Sequence, residues 1–196
     1  MLYSGLILYI APSFVGKLVS PLGYRGRYPP STIQQKTVMP NWKQAVDQFF
    51  KHSDPEGGFF HCAEDGVGKS KISQFEKKLN IKFPDELREF YSNYNGIGLT
   101  NDEEEYPNFI PPLEHLNAFV KSARKSFPKS HKAFANRYLP VVDWENGDTS
   151  GYVLGEDGEF VDAFFMFEHE LCNSQTSDVN DFMVPIADSL HAFLSQ

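Results

Sequence analysis

The 196-residue chain is poor in cysteine: Cys62 and Cys172 are its only two. Two thiols are too few for a disulfide scaffold or a thiolate-rich zinc site, and they point to a reducing, cytoplasmic setting. Long apolar runs are also missing. The best candidate, residues 5–19, is broken by Pro12 and Lys17 and falls short of a membrane span. It also lacks the basic start and small-residue cleavage site of a secretory signal. Positive charge is scarce, with 18 Lys and Arg against 26 Asp and Glu, a net charge of -8. That balance argues against a nucleic-acid binder, which needs clustered basic side chains for phosphate contacts. The favoured partner is a basic one.

The shortage of positive charge is local. Arg137 is the last basic residue, and the 59 residues after it carry twelve carboxylates. The first 137 residues hold all 18 basic side chains against 14 acidic ones, a net charge of +4. A split of this kind concerns association and steering, not fold. What the chain does have is core-forming material: 41% hydrophobic residues, with phenylalanine used 18 times. This is enough for one ordinary domain and excludes a disordered chain.

Residues 1–38 combine interrupted hydrophobicity with dense Pro and Gly and read as a poorly ordered extension, leaving 39–196 as a single domain. From Met39 the pattern is regular. Asn41 is placed to cap a helix that buries Trp42, Ala45, Val46, Phe49 and Phe50. Ser73 and Glu76 have capping-box spacing before the stripe Ile72, Phe75, Leu79, so a second helix is expected to open at Ser73 and stop at Asn80. A third opens at Pro84 and closes at Asn95-Gly96, whose residues tolerate a left-handed backbone. Residues 113–127 resume helical spacing, with Lys121, Arg124 and Lys125 on the solvent side. The period then changes. Residues 138–144, 151–154 and 160–167 read as strands joined by the turn dipeptides Asn146-Gly147 and Asp157-Gly158, an antiparallel meander. A last helix is expected over about 180–194. Helices followed by strands make an α+β domain with a mostly antiparallel sheet.

Four motifs invite chemistry. Residues 63–70, from Ala63 through Gly68-Lys69-Ser70, match a relaxed phosphate-loop pattern. Glu64 and Asp65 would repel phosphate, the preceding strand is weak, and the expected helix start at Ser73 comes three residues late. His61, Cys62, His169 and Cys172 are soft ligands, but as two distant pairs they would have to converge. Asp143, Glu145 and Asp148 lack the spacing of a helix-loop-helix calcium site, and a solvated hairpin or protein binding accounts for them better than paired-carboxylate catalysis. Ser150-Gly151 has no nucleophile elbow. No catalytic residue, metal or cofactor is assigned.

The run from Ile72 to Gly96 resembles the signature of the SUKH superfamily. Glu76 lies in a helix, Ile81-Lys82-Phe83 forms a hydrophobic link, Pro84-Asp85-Glu86 follows, and an aromatic helix with Phe90, Tyr91 and Tyr94 leads to Asn95-Gly96. Residues 138–143, then Asn146-Gly147-Asp148 and Gly151-Tyr152, resemble the family's strand, turn and strand, and residues 188–194 its closing helix. The resemblance covers about 41–196. It implies an α+β fold without a catalytic centre. It further implies either an immunity protein that neutralises a polymorphic toxin by direct binding, or a regulatory scaffold of the cell-wall synthesis type. Glu76, Pro84, Asn95, Gly96 and Gly151 fall on the motif as structural residues. The acidic set Glu103, Glu104, Glu105, Asp143, Glu145, Asp148, Glu156, Asp157 and Glu159 is the expected docking surface for a basic toxin domain.

Overall fold

The computed structural model describes residues 40–101, 108–173, 175–176 and 178–196. The chain divides into two units, Met1–Lys36 and Thr37–Gln196, and every described residue belongs to the second. The expected extension over 1–38 and the loop residues Glu103, Glu104 and Glu105 therefore lie outside the described residues. The order of elements is α1 (Trp42–Ser53), β1 (Phe60–Asp65), α2 (Lys69–Leu79), α3 (Asp85–Asn93), β2 (Tyr94–Thr100), α4 (Leu113–Ser126), α5 (Lys132–Ala135), β3 (Tyr138–Asp143), β4 (Thr149–Val153), β5 (Phe164–Phe167), β6 (Met183–Ala187) and α6 (Leu190–Leu194). Strands β1 and β2 pair antiparallel, and β3-β4-β5-β6 form an antiparallel meander. The fold is α+β.

Local signals account for α1. Asn41 Oδ1 accepts the Gln44 N–H at 3.1 Å, and the five apolar residues of the stripe are all buried. Helix α2 departs from expectation. It opens at Lys69, so Ser73 sits inside it and no capping box forms. A long-range bond helps set the start: the Val67 N–H donates to the Tyr91 carbonyl at 2.8 Å and holds the connection against α3. The helix thus begins where a phosphate loop would require, yet β1 is a largely exposed antiparallel strand and the Val67 amide is already spent.

Two further expectations change. Asn95 and Gly96 do not close α3, because the chain passes straight from α3 into β2 at Tyr94, and both residues are buried in that strand. Gly96 carries φ 108°, a conformation glycine adopts without steric cost. The expected helix over 180–194 divides into β6 and the short α6. Pro185 explains the division: inside a helix it would remove a hydrogen bond and clash with the preceding turn, whereas on the edge strand β6 its missing N–H is tolerated.

Both faces of the meander are covered. Leu139, Val141, Tyr152 and Phe164 pack into the main core with α1, α3, α4 and α6. Tyr138, Val153, Phe167 and Met183 pack into a second cluster with Phe127, Ala135, Cys172 and Phe182. Burial on both faces explains why these strands read as continuous apolar runs.

Candidate protein-binding surface

The motif residues act as joints between elements. Glu76 Oε1 accepts the Phe83 N–H at 2.8 Å and lies 3.7 Å from Arg88 Nε, fixing the link from α2 to α3. Pro84 is the N-cap residue of α3. Asn95, 5% exposed, joins three elements: Oδ1 accepts the Leu113 N–H at the start of α4, and Nδ2 donates to Glu64 and Glu114. Gly151 marks a close approach, since a Cβ there would stand 2.1 Å from the Leu139 carbonyl oxygen. One joint was invisible in the sequence. Glu86 accepts the Tyr152 hydroxyl at 2.9 Å and the backbone N–H groups of Leu190 and His191 at 3.2 and 2.7 Å, so its carboxylate caps α6 from 105 residues away. With Tyr152, Phe160, Asp162, Asp188 and His191 it lines a groove of about 670 Å³.

Sheet topology splits the expected acidic surface in two. Asp143, Thr149, Phe167 and Met183 are register neighbours across all four strands and mark one end of the meander. Tyr138 with Val153, and Phe164 with Ala187, mark the other. The turn bearing Glu145 and Asp148 leaves the first end, while Glu156, Asp157 and Glu159 lie beyond the second. Five strand residues separate the ends by about 16 Å.

At the turn end Asp148 is 6% exposed, contrary to its expected place on a solvated hairpin. Its Oδ1 receives His169 N–H at 2.9 Å and His169 Nδ1 at 2.8 Å, and its Oδ2 receives Asn146 Nδ2 at 3.1 Å. Burial alone would raise this carboxyl's pKa; the bonds from His169 and Asn146 outweigh it and hold the pKa below the ordinary range. Asp148 therefore holds the turn, and only 8% of its side chain is open to solvent. Asp143, half-buried, accepts the Glu145 N–H at 2.9 Å, and exposed Glu145 accepts Asn108 Nδ2 at 2.7 Å. At the loop end Glu156, Asp157 and Glu159 are all exposed.

The soft ligands do not converge. His61 pairs with Asp54 at 3.1 Å and stacks on Phe50, His169 pairs with Asp148, and Cys172 is buried in the second cluster. An aromatic feature also escaped the sequence reading: Trp144, 36% exposed, meets the rings of Phe109 and Phe193 beside the acidic turn. Among the described residues no helix is long and apolar enough to cross a membrane.

Residues 66–196 match the model of the SMI1 / KNR4 family (SUKH-1). No curated protein matches the chain.

Proposed function

The chain belongs to the SMI1 / KNR4 family (SUKH-1), a family of generally non-enzymatic protein-interaction domains of immunity or regulatory type, and from that premise we propose that it neutralises a basic toxin domain by direct binding. One observation carries the reading: twelve carboxylates and no Lys or Arg follow Arg137, and exposed members of that set, Glu145 at one end of the meander and Glu156, Asp157 and Glu159 at the other, stand on its loops. Loops on a rigid scaffold are where binding residues concentrate. A negative surface steers a basic partner and fits a cleft built for a polyanion, such as that of a nuclease. The docking residues are Asp143 and Glu145 at one end and Glu156, Asp157 and Glu159 at the other, with Glu103, Glu104 and Glu105 extending the set in sequence. Asp148 serves them by holding the turn.

The split supports a second reading, a regulatory scaffold that engages one partner at each end. Co-purification with the product of the neighbouring gene, followed by charge reversal at each end in turn, separates the two. For immunity, the neighbour is a toxin, the association rate falls steeply from low to physiological salt, and cells are protected. For a scaffold, the two reversals abolish different partners. Binding and protection unchanged by both reversals would eliminate the acidic mechanism.

A further inference from the structure

The chain has two tryptophans, and they are in opposite states: Trp42 is 3% exposed, Trp144 36%. An exposed tryptophan is large apolar area left in water, and this one is held in a fixed pose. Its Nε1–H donates to Ser150 Oγ at 2.9 Å. Phe109 meets it edge-on at 5.3 Å and 87°, and Phe193 at 6.0 Å and 79°. Its backbone N–H reaches the Asp148 carbonyl at 3.3 Å. The indole is a platform set before any partner arrives.

Carboxylates flank it in sequence on both sides. Asp143 is tied to the Glu145 N–H, and Glu145 takes the left-handed backbone, φ 59°, that non-glycine residues seldom adopt. Asn108 Nδ2 then fixes the Glu145 side chain at 2.7 Å. A carboxylate has about four acceptor positions, so one bond from Asn108 leaves capacity for a donor from outside. The turn thus joins a fixed, partly exposed indole to two carboxylates that are its chain neighbours.

One side chain suits both features. A guanidinium is flat, weakly hydrated and permanently charged, stacks on an indole, and donates paired hydrogen bonds to a carboxylate. A lysine ammonium is a strongly hydrated point charge and gains mainly the electrostatic part. An uncharged apolar side chain would gain nothing from the carboxylates. We propose that the Trp144 turn, with Glu145 and Asp143, is a receptor for an arginine side chain of the protein partner. This rests on the reading that the domain docks a basic protein, and it adds which cation is chosen and where. Rigid aromatic platforms paired with arginine are the usual anchors of such interfaces.

The full chain titrated with octa-arginine and, separately, octa-lysine tests the choice at matched charge. Trp144 reports directly through its emission and its indole N–H resonance, while buried Trp42 serves as the internal control. Octa-arginine is expected to saturate both signals at about three- to fivefold lower concentration than octa-lysine. By calorimetry, Trp144→Leu is expected to erase that preference while leaving octa-lysine binding unchanged, and Glu145→Gln to weaken octa-arginine more than octa-lysine. Should Trp144→Leu fail to fold, Trp144→Phe keeps a weaker π-face and retains part of the preference. Equal, salt-sensitive binding of both peptides would overturn the arginine receptor while sparing the basic-partner reading. A preference that survives Trp144→Leu would overturn it as well, and absence of any binding would remove both.

Discussion

The two ends of the β3–β6 meander are both acidic, and they are built in opposite ways. At the turn end carboxylates are fixed: Asp148 is buried under His169 and Asn146, Asp143 holds the Glu145 amide, and Glu145 is held by Asn108. At the loop end Asp157 bonds locally, to the Glu159 N–H at 3.1 Å, and Glu156 lies 3.7 Å from Arg137 with its side chain 93% exposed. The bonded carboxylate nearest that end comes from elsewhere: Glu86 on α3 holds the Tyr152 hydroxyl of β4 and the first amides of α6. Equal charge in the sequence thus becomes two different things. A buried, bonded carboxylate stabilises structure, whereas an exposed one contributes little to stability and remains available for steering.

Substitutions can break or sharpen that contrast. The largest effect is expected where both ends depend on one strand pair. Gly151→Ala places a Cβ 2.1 Å from the Leu139 carbonyl oxygen and 2.7 Å from Pro140 Cα, so the β3 backbone itself must move. A loss above about 4 kcal/mol in urea unfolding, or no folded protein, is expected. Next, Asp148→Ala strands the His169 amide and ring and should cost about 3 kcal/mol, against less than about 0.5 kcal/mol for Glu156→Ala at the other end. Similar costs for the two would erase the contrast.

The pH dependence of Asp148 sharpens it further. Its pKa is lowered in the folded protein, so the unfolded chain binds its proton first as pH falls. Its contribution is therefore complete above the unfolded value of about 3.9 and fades as pH drops through the lower folded value. The stability gap between the parent and Asp148→Asn should be set by intact bonds at neutral pH and narrow on acidification below about pH 4. A gap that widens there would contradict the assignment. Glu86→Gln, which keeps one acceptor for the α6 amides, should cost a smaller 1–2 kcal/mol, about one good hydrogen bond to a charged group. Smallest in stability is joint reversal of Glu156, Asp157 and Glu159, expected to change stability by less than about 0.5 kcal/mol in total while slowing association with a basic partner.

Much of the fold was legible because its causes are local. Helices α1 and α4 follow from a periodic apolar stripe, and Asn41 caps α1 by accepting an amide three residues on. The Asn146-Gly147 and Asp157-Gly158 dipeptides marked the turns of the meander correctly. Asn80 ends α2 in the left-handed conformation its type permits. The family signature between Ile72 and Gly96 was equally readable, though not the reason for its residues: Glu76 binds the Phe83 amide, not its own helix start, and Asn95 caps α4, not the end of α3.

By itself, then, the sequence determined the α+β class, three of the meander's four strands, most helix positions and the strongly acidic C-terminal region. Periodicity, capping and turn chemistry act over a few residues and leave their mark in the order of the chain. Only the tertiary structure decided which carboxylates are spent internally, that the acidic loops leave opposite ends of one sheet, and that Trp144 stands exposed beside Glu145. Those outcomes depend on hydrogen-bond partners 21 to 105 residues apart, on strand direction, and on which ring happens to find a neighbour in the core. Such pairings are chosen when the chain closes on itself, by competition among donors and acceptors that no short window of sequence contains.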